Sequence, residues 1–144
     1  MSIQVKVSDI ILQPFSLVYK SVIEPEKITK YFVSNSSGKL IEGAKIEWEF
    51  KDYNVIIKVN VIEIIENEKI MFNWEVSGKK SQVTMLFFSK DKNKTKMEIR
   101  EDSFEENEEG IAKAMQQTQG WTDFICSLKA FLYTGINLRS GKMN

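Results

Sequence analysis

Apolar and polar residues alternate with a period of two through the middle of this chain, and the period changes to that of a helix near its end. Ile46, Trp48 and Phe50 alternate with Lys45, Glu47 and Glu49, and Val55, Ile57, Val59 and Val61 alternate with Ile56, Lys58 and Asn60. Each run predicts a strand with one face turned to a core. The phase slips at Ile62, Ile64 and Ile65, which predicts a bulge that bends the sheet. Ile70, Phe72, Trp74 and Val76 resume the alternation, and Ser77-Gly78-Lys79-Lys80 predicts a hairpin turn. Gln82 to Ser89 forms the next strand, and Met97 and Ile99 alternate with Lys96, Glu98 and Arg100 in the last. Residues Met85 to Phe88 are apolar on both faces, so that strand is expected to be covered twice or to form an interface.

The two ends of the chain read differently. Ile3 to Leu12 suggests a first strand, followed by a short helix that opens at Pro14 and presents Phe15, Val18, Tyr19 and Val22 on one face. Pro25 starts a second short helix, with Glu26 in its first turn and Ile28, Tyr31 and Phe32 on its apolar side. SNSSGK (34–39) reads as a polar loop. Ser103-Phe104-Glu105-Glu106 resembles a capping box, and Asn107 is an equally good cap. From there Ile111, Ala114, Met115, Thr118, Trp121, Ile125, Leu128 and Leu132 form one long stripe, widened by Phe124 and Phe131. Gly120 within that helix implies close packing. The expected fold is α+β: about six antiparallel strands curved around one long C-terminal helix, in a single domain over 1–135 with a loose tail at 136–144.

Composition narrows the chemistry. With 144 residues the chain is large enough to bury a core without staples. Twenty basic residues balance twenty acidic ones, so the footprint of a nucleic-acid-binding protein is missing. There is no histidine and one cysteine, Cys126. This leaves no disulfide, no metal site of the zinc type and no Ser/His/Asp or Cys/His pair. Cys126 is expected to be a small buried residue of the last helix. No secretory leader or membrane-spanning run is read from the sequence, so the expected location is cytoplasmic, and the sequons at Asn35 and Asn93 are taken as chance matches. The acidic stretch Glu105 to Glu109 matches no calcium loop and suits a helix start.

An ordered set of residues then points to a family. Pro25-Glu26-Lys27-Ile28, Tyr31-Phe32 and Gly43 ahead of Trp48 come first. Lys69 to Trp74 and Gly120-Trp121 leading into Leu128 to Leu132 follow. Together they resemble the START/birch-pollen-allergen superfamily, over about residues 5 to 134, and within it the branch named for the activator of the heat-shock-protein-90 ATPase. The first helix departs from that branch, which often has a Trp where Val18-Tyr19 stand. The resemblance implies a helix-grip fold and often a cavity for a small apolar molecule. Co-chaperone activity in that branch goes with a further domain in front of this one, and is not expected here.

Three functional readings follow. The first is a non-enzymatic module holding a small hydrophobic or aromatic molecule between sheet and helix, with no cofactor. Its wall would be Trp48, Phe50, Phe72, Trp74, Met97 and Phe104 from the strands, with Met115, Trp121, Phe124, Ile125 and Leu128 from the helix. Indole N–H groups there would orient a polar atom of the ligand. The same side chains would equally fill a dry core. The second reading is a chaperone-associated, protein-binding module with such a filled core and an exposed apolar patch near Met85 to Phe88; the same strand is the expected contact of a homodimer. The third is a cavity enzyme of the cyclase type. Its candidate acid or base is Glu101, which points inward if the alternation of Met97 and Ile99 continues, although a twist at the strand end would leave it in water.

Overall fold

The alternating runs fold into one antiparallel sheet that wraps the long helix, as described by a computed structural model for residues 2–140. In chain order the elements are β1 (Ser2–Ile11), α1 (Phe15–Ile23), α2 (Pro25–Ile28), β2 (Asn35–Ser36), β3 (Lys45–Phe50) and β4 (Val55–Ile65). They continue with β5 (Lys69–Val76), β6 (Lys79–Asp91), β7 (Lys94–Glu105) and α3 (Glu108–Thr134). The strands lie in the order β1-β7-β6-β5-β4-β3-β2. The expected α+β helix-grip architecture is present. Its seventh strand, β2, is a two-residue pairing with Glu49 and Trp48, inside the stretch read as a polar loop.

Curvature comes where the pattern slipped. The register of β4 against β5 shifts between Val61 and Glu63, so Ile62 is the extra residue that bends the strand. Further shifts fall in β1 between Ile3 and Val5 and at the end of β6. The β5–β6 hairpin turns on Ser77 and Gly78, both at positive φ, as a two-residue turn requires.

Asn107 caps α3, its side chain accepting from the Gly110 amide at 2.8 Å, and Glu108 and Glu109 place negative charge at the helix start. Gly110 itself stands against the end of β7. A Cβ there would lie 1.9 Å from the Glu105 carbonyl oxygen, so only glycine lets the helix begin this close to the strand. Gly135, left-handed at φ 77°, ends the helix.

The stripe on α3 is narrower than the apolar residues suggested. Ala114, Trp121, Phe124, Ile125 and Leu128 are buried, but Ile111 is exposed and Met115 is 68% exposed. Met115 lies six residues before Trp121, about 120° around the helix at 100° per residue, which turns it away from the sheet. Cys126 is exposed for the same reason, and Gly120, expected to be closely packed, has open space beside it. On β6, Met85 and Phe87 face inward and are buried, while Phe88 is exposed on the outer face. The Tyr19 ring of α1 meets Phe87 edge-on at 5.8 Å, so the inner face is the covered one. Within the expected loose tail, Arg139 reaches Asp52 and Asp123 and lies over the rings of Phe50 and Tyr53. Residues 141–144 of that tail lie outside the described residues.

Candidate functional site

The aromatic side chains expected to wall a cavity meet in one place, on the inner face of β3 and β5 beneath α3. Phe32, which follows α2, is their hub. Its ring lies 5.6 Å from Trp48, 5.2 Å from Phe50, 6.0 Å from Trp121 and 4.7 Å from Phe124, centroid to centroid. Trp48, Phe72 and Trp74 touch one another edge to face at 5.4–6.2 Å. Such contacts add specific aromatic attraction to the area they bury. Met97, Phe104, Ile125 and Leu128 are buried with them, and Met115 is not. These rings occupy the space between sheet and helix.

A carboxylate sits at the edge of this cluster. Glu101 is 1% exposed, contrary to the strand-end twist that would have left it in water. It continues the inward alternation of β7 and is flanked by Val5 on β1 and Val83 on β6. Four neutral donors converge on it. The Trp74 indole and the Ser81 hydroxyl, cross-strand partners on β5 and β6, donate to Oε2, the indole at 2.9 Å. The Trp121 indole and the Gln117 amide, both from α3, donate to Oε1 at 2.8 and 2.9 Å. The Trp74 and Trp121 rings stack with centroids 5.3 Å apart. Among the described residues no Lys or Arg forms an ion pair with this carboxylate.

An ionised carboxylate offers about four lone-pair positions, and here each has a donor. That arrangement ties α3 to the middle of the sheet. It leaves no free position for abstracting a proton from a substrate, so Glu101 is not presented as a ready base. Ser81, Gln117 and Phe32 were not among the side chains expected at the site. The alternation of Ser81 with Val83, Met85 and Phe87 carried a signal for the first. Gln117, one helical turn before Trp121, carried a weaker one.

Beside Glu101 a small slot opens to the surface, with a cavity of about 10 Å³, room for roughly one water. Phe104, Gln117, Val76, Lys79 and Lys113 are among the residues around it. The Lys79 ammonium lies 5.8 Å from the centre of the Phe104 ring, and Lys113 pairs with Glu109 at 3.1 Å. Among the described residues no group of three or more His, Cys, Asp or Glu is placed to hold a metal ion. No helix of the described residues is long and apolar enough to cross a membrane.

The sequence also matches a known family. Residues 13–133 fit the model of the family described as Activator of Hsp90 ATPase homolog 1-like protein. The chain belongs to this family. Solved structures of similar fold superpose on it. A Staphylococcus saprophyticus protein superposes with a TM-score of 0.82 at 20% identity, over 96% of this chain and 98% of its own. DynU16, from the dynemicin biosynthetic locus, gives 0.81 at 21% identity, over 92% of this chain and 48% of its own. An HSP90 activator from Plasmodium falciparum gives 0.72 at 19% identity, over 90% and 95%. At these identities the likeness is one of fold. None of the curated proteins matches the chain by sequence.

Proposed function

We propose that this chain is a small-molecule-binding member of its family, which admits an apolar or aromatic molecule between the sheet and the first half of α3. The observation that carries the reading is the uneven grip on that helix. From Trp121 to Leu128 it buries Trp121, Phe124, Ile125, Ser127 and Leu128, whereas from Glu108 to Gly120 only Gly110 and Ala114 are buried. The first half is held to the sheet by few side chains, the Gln117 bond to Glu101 prominent among them. The slot beside Glu101 opens under that half. A ligand that binds a lifted helix better than the closed one shifts the protein toward the open form. Met97 and Phe104 would then join the two stacked indoles as its wall.

The packed rings favour a second reading, a partner-binding module with a filled core, as for a protein that acts on other proteins. Native mass spectrometry of the protein from its own cells, with gentle denaturation, separates the two. A reproducible small apolar adduct supports the first reading. A bare mass supports the second, provided a panel of apolar aromatic compounds also leaves the Trp74 and Trp121 indole N–H resonances unmoved.

A further inference from the structure

We infer that Glu101 selects ligands carrying a hydrogen-bond donor, and that Gln117 holds the ligand's place on that carboxylate until one arrives. This rests on the small-molecule reading above. The four donors to Glu101 are not equivalent. Trp74 and Ser81 are fixed in adjacent strands and buried, and Trp121 is 2% exposed. Gln117 alone is half-exposed, on the thinly held half of α3, and it lines the slot. It is the donor that can swing into water without opening the core.

Once it leaves, Oε1 keeps the Trp121 bond at 2.8 Å and presents one empty acceptor position to the slot. A buried acceptor left unpaired is costly, and more so when it is charged. A ligand with an N–H or O–H at its inner end removes that cost, and an otherwise identical ligand without one does not. This is how a site built to hydrogen-bond rejects the analogue lacking the group. The slot is also lined by Lys79 and Lys113; Lys113 is paired with Glu109, so Lys79 is the cation that gives its outer end the opposite character. Phe104 lines the slot and is buried beneath the Lys79 ammonium, so an aromatic ring meets its face by displacing that side chain. The chemical class is therefore an aromatic molecule with one neutral donor at its inner end and an anionic group at its outer end.

Three fluorescent probes separate these features. Anilinonaphthalene sulfonate carries both an N–H donor and an anion, phenylnaphthylamine carries the donor alone, and naphthalene sulfonate carries the anion alone. Each is titrated against the native protein, Gln117→Ala, Glu101→Gln and Lys79→Ala, with the Trp74 and Trp121 indole N–H resonances locating the bound probe. Gln117→Ala is expected to tighten both donor probes several-fold, since no internal donor has to be displaced, and to leave naphthalene sulfonate unchanged. Glu101→Gln should weaken the donor probes about tenfold, the scale of one hydrogen bond to a charged acceptor. Lys79→Ala should weaken only the two sulfonates. If Glu101→Gln does not fold, the tightening in Gln117→Ala decides alone. Binding of all three probes with ratios unchanged by Gln117→Ala overturns the role of Glu101 and leaves the small-molecule reading standing. No binding of any probe to native protein or to Gln117→Ala overturns both.

Discussion

Trp74 and Trp121 stack on each other across the boundary between sheet and helix, 5.3 Å between ring centroids, and each donates its indole N–H to a different oxygen of Glu101. The stacked pair and the carboxylate form one unit contributed by β5, β7 and α3. Trp121→Phe keeps a ring in the stack and deletes one N–H. It should destabilise the protein by roughly 1.5–3 kcal/mol, the range for a hydrogen bond to a charged group. Urea denaturation measures this, and a double-mutant cycle with Glu101→Gln should show clear coupling. Additive effects would mean that the bond carries little of the grip.

Gly110 provides a second test, independent of the site. Alanine at this position puts a methyl group into the Glu105 backbone, and backbone cannot rotate aside as a flexible side chain can. Despite the better helix propensity of alanine, Gly110→Ala should cost about 1–3 kcal/mol, the scale of overpacking. Gly120→Ala, with open space around it, should instead stabilise by up to about 1 kcal/mol. Thermal denaturation of the two variants should therefore move in opposite directions.

Asp9 on β1 meets Lys129 on α3 at 3.0 Å. Loss of hydration pushes the Asp9 carboxyl up, but the Ile10 amide and the Lys129 ammonium together outweigh this and hold it below its ordinary value. A carboxyl with a lowered folded-state pKa stabilises the protein above its unfolded value, about 3.9 for Asp. That contribution disappears as pH falls through the folded value. Asp9→Asn should flatten the acid limb of the stability curve below about pH 5, with little change at acidic extremes. The effect should stay under about 1 kcal/mol and shrink with salt, because the pair is partly exposed. Chemical denaturation at several pH values would show it.

Arg139 ties the chain after α3 to the turn between β3 and β4. Its side chain is 13% exposed, between Asp52, Asp123 and the rings of Phe50 and Tyr53. Arg139→Ala should speed amide exchange at residues 51–54 and cost roughly 1.5–3 kcal/mol, since it strips a charge-assisted bond from Asp52. Exchange rates unchanged at that turn would show that the tail does not hold it.

Much of this architecture was legible because alternation is a local property. The strands from β3 to β7 and the bulge at Ile62 followed from counting by twos, which pointed Glu101 inward but could not decide against a twist at the strand end. Strand β2 did not, since Asn35 and Ser36 carry no apolar pattern and pair only because Phe32 and the chain after it are drawn onto β3. The helix face was misjudged at Ile111 and Met115. Periodicity picks out the widest apolar stripe, but the contact with the sheet decides which part of it is covered. The polar Gln117 consequently faces in while Met115 faces out. The donors around Glu101 lie 16 to 27 residues from it in sequence, so no local pattern could assemble them. Whether the expected wall encloses space or fills it depends on side-chain packing across those same distances.

The edge of the sheet at β1 bears on how copies of this protein behave toward one another. A ten-residue strand with a free side is a template on which another chain can add its own strand. Here Asp9 stands on the strand between Val7 and Ile11, exposed at the side of the sheet, and is engaged by Lys129 of α3. An incoming strand that pulled β1 into a flat, extended pairing would separate this charge from its ammonium partner on α3. The ion pair that contributes so little to the stability of one molecule thus discourages many molecules from joining edge to edge.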